Sequence, residues 1–61
     1  MPLIIIEVDE GKTVDQKRQL VQDITDVVCK DFAVPPRAVS VVIHEGKKEN
    51  RATAGKLGID S

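Results

Sequence analysis

Thr13-Val14-Asp15-Gln16-Lys17-Arg18-Gln19-Leu20-Val21-Gln22-Asp23-Ile24-Thr25-Asp26-Val27-Val28-Cys29-Lys30-Asp31 is the stretch on which the fold turns. Leu20, Val21, Ile24, Val27 and Val28 recur at spacings of one, three and four, which places them on one stripe of an α-helix. Lys17, Arg18, Gln22, Asp23, Asp26 and Lys30 occupy much of the remaining circumference as a solvated face. Thr13 followed by Gln16 fits a capping box, in which each side chain accepts from the other's backbone N–H. Asp15 in the first turn complements the helix dipole. Beyond the far end, Pro35-Pro36 stops any continuation, and Val34 before them is biased towards an extended backbone.

An aliphatic run lies on either side of this helix. Leu3 to Val8 carries four consecutive aliphatics and is rich in β-branched residues, which predicts a strand covered on both faces. Asp9-Glu10-Gly11 breaks the run as a turn. Val39 to Glu45 predicts a second strand, with Val39, Val41 and Ile43 on one face and Ser40, Val42 and His44 on the other. Strand, helix and strand make a β-α-β unit, whose strands should be parallel with a right-handed crossover. The tail from Gly46 is polar, then runs Arg51-Ala52-Thr53-Ala54-Gly55-Lys56-Leu57, with little of its own to bury. It is expected to form a short C-terminal hairpin docked on another subunit, with Gly55 supplying a backbone conformation or close packing. The fold class is therefore α+β, in a single domain over residues 1–61, with neither repeat nor linker.

A chain of 61 residues buries only about 60% of its unfolded surface, and domains this small usually need disulfides, metal or association. Cys29 is the only cysteine, so no internal disulfide can form, and its place in the helical pattern suggests packing. His44 is the only histidine, which leaves no zinc-type ligand cluster. Association remains. Some 41% of residues are hydrophobic, more than one helix and two strands can hide among themselves, so an obligate oligomer is expected. Nine basic and ten acidic residues are interspersed, for a net charge of −1, and Phe32 is the sole aromatic. A nucleic-acid surface would show a basic patch with stacking aromatics instead. No run approaches the roughly 20 apolar residues of a membrane span, and the short apolar start lacks the basic lead of a signal peptide. A soluble cytoplasmic protein is the expectation.

Pro2, directly behind Met1, is the first candidate for chemistry. Methionine removal is favoured before a small residue, and proline qualifies. The product would carry a secondary amine on a ring of fixed geometry. An α-amino group titrates near ~8, closer to neutrality than any lysine, and burial or neighbouring cations lower it further. A base poised near the operating pH suits proton abstraction beside a carbonyl. The bland alternative is that Met-Pro is a common way to begin a chain.

Taken in order, the Met1-Pro2 start, the aliphatic strand, the Glu10-Gly11-Lys12-Thr13 turn leading to Gln16-Lys17, the strand Val39-Ser40-Val41-Val42-Ile43-His44-Glu45 and the Asn50 to Lys56 tail form a recognisable layout. It resembles the 4-oxalocrotonate tautomerase family over nearly the whole chain. The resemblance implies β-α-β subunits assembled as dimers into a homohexamer. It also implies sites at subunit contacts, and a catalytic amino-terminal proline that interconverts keto and enol forms of small carboxylate substrates without metal or organic cofactor. On that resemblance Pro2 is the catalytic base. Lys12 stands where an arginine commonly grips a substrate carboxylate, and keeps the charge without the planar fork. Ser40 stands where a second arginine stabilises the developing oxyanion, and offers one neutral hydrogen bond. Arg51 stands where an aromatic residue walls the site. An arginine close to the amine would disfavour its protonation and bind a carboxylate bidentately, serving both altered roles.

Two other readings accompany the tautomerase. One is hydration or dehalogenation of an unsaturated acid, for which Glu49 and Glu10 are the nearest carboxylates. The other is an oligomeric binding or assembly protein that keeps the fold without efficient catalysis, a reading prompted by Ser40. His44 beside Glu45 could relay a proton, although a half-exposed strand histidine is the plainer reading.

Overall fold

The computed structural model of the chain describes residues 1–60; Ser61, the end of the expected domain, lies outside the described residues. Strand β1 (Leu3–Asp9) leads to helix α1 (Val14–Phe32), strand β2 (Ser40–Gly46) and a hairpin of β3 (Ala52–Thr53) and β4 (Lys56–Leu57). Short 3₁₀ turns occupy Pro36–Ala38, Lys48–Asn50 and Gly58–Asp60. β1 and β2 pair in parallel, from Leu3 opposite Ser40 to Asp9 opposite Gly46, while β3 and β4 are antiparallel.

The helix begins as its sequence dictates. Gln16 N–H donates to Thr13 Oγ1 at 3.1 Å and Thr13 N–H donates to Gln16 Oε1 at 2.9 Å, completing the capping box. It runs one residue past the expected end, to Phe32. Ala33 then closes it in the left-handed conformation (φ 55, ψ 46), which costs an L-residue about 1 kcal/mol and commits the chain to leave the helix axis. Strand ends differ from expectation by one residue, for identifiable reasons. Val39 N–H donates to Pro36 O within the 3₁₀ turn, so β2 starts at Ser40. Glu10 N–H donates to Gly46 O at 3.0 Å, which carries the ladder through Asp9 and Gly46. In the hairpin, Ala54 (φ 53) and Gly55 (φ 82) form the two-residue loop of positive φ that matches strand twist.

One face of the two-stranded sheet is covered and the other is not. Ile4, Ile6 and Val8 of β1 and Val41 and Ile43 of β2 are half-buried on the side of α1, where Val21, Ile24 and Val28 are half-buried in turn. The ion pair of Lys17 on α1 with Glu45 on β2 marks the same side. On the opposite face Leu3 and Ile5 are 58% and 56% exposed. The expectation of a first strand covered on both faces is thus corrected within one chain, because a single helix can cover only one face of the pair. The helix stripe is also wider than the sheet beneath it, leaving Leu20 and Val27 at its exposed edge.

No described residue is fully buried. The accessible surface is 4860 Å², against about 3900 Å² for a compact monomer of this mass. The radius of gyration is 14.8 Å, against about 10.5 Å for a compact chain of this length. The elements are regular, but the chain does not close a core by itself.

Candidate functional site

The parallel ladder has two ends, and the candidate residues divide between them. At the first end, Ser40 N–H donates to Pro2 O at 3.0 Å, which ties the proline to the start of the sheet. Pro2 is half-buried there, while Met1 ahead of it is 94% exposed. With Met1 attached, the Pro2 nitrogen is an amide without a basic lone pair.

At the other end, Lys12 follows the Gly11 turn (φ 115) and is exposed, and Arg51 follows the 3₁₀ turn Lys48–Asn50. Asp9 lies seven residue steps beyond Pro2 along the strand, at about 3.3 Å each, so the two ends stand about 23 Å apart. The structure therefore brings Pro2 and Ser40 together, puts Lys12 and Arg51 at the far end, and does not join the pairs within one chain. Arg51 also lies in the connection to the hairpin rather than on a strand, and is not beside its own chain's proline.

Arg51 sits in a cluster that the linear sequence does not announce. Its Nη2 donates to Glu7 Oε2 at 3.2 Å, and its Nε lies 3.8 Å from Asp9 Oδ1. The other Glu7 oxygen, Oε1, meets His44 Nδ1 at 2.9 Å, a bond that requires the proton on Nδ1 when Glu7 is ionised. The hydrogen bond from His44, with a smaller contribution from Arg51, holds the Glu7 carboxyl below the ordinary glutamate value. Strand register explains the cluster: Glu7 is opposite His44 and Asp9 is opposite Gly46, all on the face away from α1. Neighbours on a strand point to opposite faces, so His44 pairs with Glu7 while Glu45 turns towards Lys17. The His44–Glu45 relay is accordingly absent.

Glu7 and Gly46 escaped sequence reasoning, because finding them requires the register of β1 on β2. Arg51 further lines a cleft of about 580 Å³ with Asp9, Lys48, Asn50, Thr53 and Lys56. The charged side chains of this cleft are cationic apart from Asp9, and it lies between the 3₁₀ turn and the hairpin. Among the described residues no helix is long and apolar enough to cross a membrane.

Comparison with known proteins covers these same elements. The profile of the family described as "Tautomerase enzyme" matches residues 2–58. A probable tautomerase of Listeria monocytogenes serotype 4b is 38% identical over 55 residues, 90% of each chain. Among solved structures, a 4-oxalocrotonate tautomerase isozyme from Methylibium petroleiphilum superposes with a TM-score of 0.89 at 36% identity, covering 95% of this chain and 91% of its own. A heterohexamer 4-oxalocrotonate tautomerase from Chloroflexus aurantiacus J-10-fl gives a TM-score of 0.89 at 25% identity, covering 98% and 97%. A match that begins at Pro2 and runs through both strands, the capped helix and the hairpin places this chain in the tautomerase family, as an isomerase.

Proposed function

We propose that this chain, folded as one domain over residues 1–61, is a cofactor-independent tautomerase whose general base is Pro2 once Met1 has been removed. The supporting observation is the placement of Pro2: half-buried, fixed to the sheet by the Ser40 backbone, and preceded by a methionine that projects into solvent. Unmasked, its amine takes a proton from the carbon α to the carbonyl of a small 2-oxo carboxylate, or from the hydroxyl of a dienol carboxylate. The electron pair shifts to give a dienolate, and the proton returns from the ammonium to another carbon. The balance requires neither oxidant nor metal. Ser40 hydroxyl donates one neutral hydrogen bond to the enolate oxygen, and Lys12 and Arg51 bind the substrate carboxylate.

The about 23 Å between the ladder ends means that Lys12 and Arg51 reach a proline only from another copy. Excess surface supports that assembly. About 950 Å² per chain lies exposed beyond a compact monomer, comparable with the roughly 800 Å² that each partner contributes to a standard interface. A homohexamer with sites at subunit contacts fits this requirement.

The test uses protein whose mass shows a Pro2 terminus, assayed for ketonisation of 2-hydroxymuconate and of the enol of phenylpyruvate. Pro2→Ala is expected to lower kcat by about 10²–10⁴-fold, the usual range for a general base. Protein retaining Met1 should be comparably slow. Equal rates for wild type and Pro2→Ala would remove the proline mechanism.

A further inference from the structure

Gly46 closes β2 without the backbone conformation that normally calls for glycine. The positive-φ glycines among the described residues are Gly11 and Gly55, so any L-residue could adopt the Gly46 backbone. Space is what the missing side chain provides. A Cβ at Gly46 would overlap Arg51 Nε and stand 2.6 Å from its Cζ and 2.7 Å from Nη2, far inside contact distance. The guanidinium therefore lies across the end of β2, in the volume that a side chain would fill.

Its orientation there is set by carboxylates. Glu7 accepts from Nη2 at 3.2 Å, and Asp9 stands 3.8 Å from Nε, so both acids address the Nε/Nη2 edge. A guanidinium has five N–H donors in a planar fork. The second edge, Nη1 with the remaining Nη2 hydrogen, has no partner among the described residues. That edge has the geometry for a bidentate bond to a carboxylate. The two acids also offset much of the Arg51 charge, which weakens its long-range pull on an anion. What the arrangement contributes is direction.

Resting on the reading of Arg51 as a substrate-carboxylate contact, we infer that Gly46 and Glu7 are positioning residues that lay the Arg51 guanidinium across β2 with its Nη1/Nη2 edge presented to the substrate. Gly46 acts by leaving room and Glu7 by fixing rotation. Neither touches the substrate.

The experiment is a double-mutant cycle on the assembled, Pro2-terminated enzyme with 2-hydroxymuconate as substrate. Gly46→Ala is expected to raise KM about tenfold, as Arg51→Ala does, with kcat held within about twofold, the loss of one charged hydrogen-bonded contact. In the Arg51→Ala background Gly46→Ala should have no further effect. An equal penalty in both backgrounds, or an unchanged KM for Gly46→Ala, overturns the inference. If Gly46→Ala fails to assemble, Glu7→Gln is run through the same cycle with the same outcomes expected. A second measurement reads position without activity: the Arg51 Nε–H resonance should shift and lose exchange protection in both variants. An Arg51 signal that stays in place overturns the inference whatever the kinetics. Should Arg51→Ala itself leave KM unchanged, the substrate-contact reading falls, and the resonance alone then decides whether Gly46 and Glu7 place the guanidinium.

Discussion

Glu7 holds two partners with one carboxylate, His44 through Oε1 and Arg51 through Oε2. Both favour its ionised form, so its folded-state value lies below the ordinary glutamate value of about 4.3 expected in the unfolded chain. A depressed acid stabilises the fold above its unfolded value and loses that contribution as pH falls through the folded one. Glu7 is exposed, so solvent and salt screen the effect and its size is modest. Thermal midpoints measured from about pH 6 down to about pH 3 should therefore fall more for wild type than for Glu7→Gln. The difference should shrink at high salt; parallel profiles would contradict the pairing. At this scale the sequence pointed to Pro2 as a candidate amine, and the resemblance to the tautomerase family added Lys12, Ser40 and Arg51. It was silent on Glu7, Asp9 and Gly46, whose relation to Arg51 exists only after β1 and β2 have paired in one register.

Among the elements, α1 owes its start to a reciprocal pair of side chain–backbone bonds. Thr13→Ala removes the Oγ1 acceptor and leaves Gln16 N–H to water, which should cost about 1 kcal/mol. Thr13→Ser should be close to neutral. Urea unfolding at one fixed protein concentration is the measurement, because stability of an assembly depends on concentration. The helix and both main strands were legible from periodicity and breaker residues, and the hairpin was expected from a tail with little of its own to bury, its Ala54-Gly55 loop emerging only in the structure. Their ends were less so, since a terminal N–H chooses among carbonyls that sequence does not locate. Val39 N–H goes to a 3₁₀ turn and Glu10 N–H extends the ladder. Both choices depend on where Pro36 and Gly46 come to lie.

The whole molecule is an open unit whose second sheet face carries Leu3, Ile5 and Val42 uncovered. If another copy completes the site, activity per chain should fall on dilution together with the sedimentation coefficient. Ile5→Lys, which leaves the proposed reacting groups in place, should yield a smaller and inactive species; full activity in a species that sediments as a monomer would contradict shared sites. The aliphatic runs of the strands, the apolar stripe of the helix, the capping pair and the Ala54-Gly55 loop specify the β-α-β-hairpin course locally, because each acts over a few neighbouring residues. Folding in three dimensions decided the rest. One helix covers one sheet face because the pair of strands has two faces and the chain has a single helix. The ladder separates Pro2 from Lys12 and Arg51 because a strand is stiff and extended, and register, which no local pattern encodes, brings Glu7, His44, Gly46 and Arg51 into one cluster.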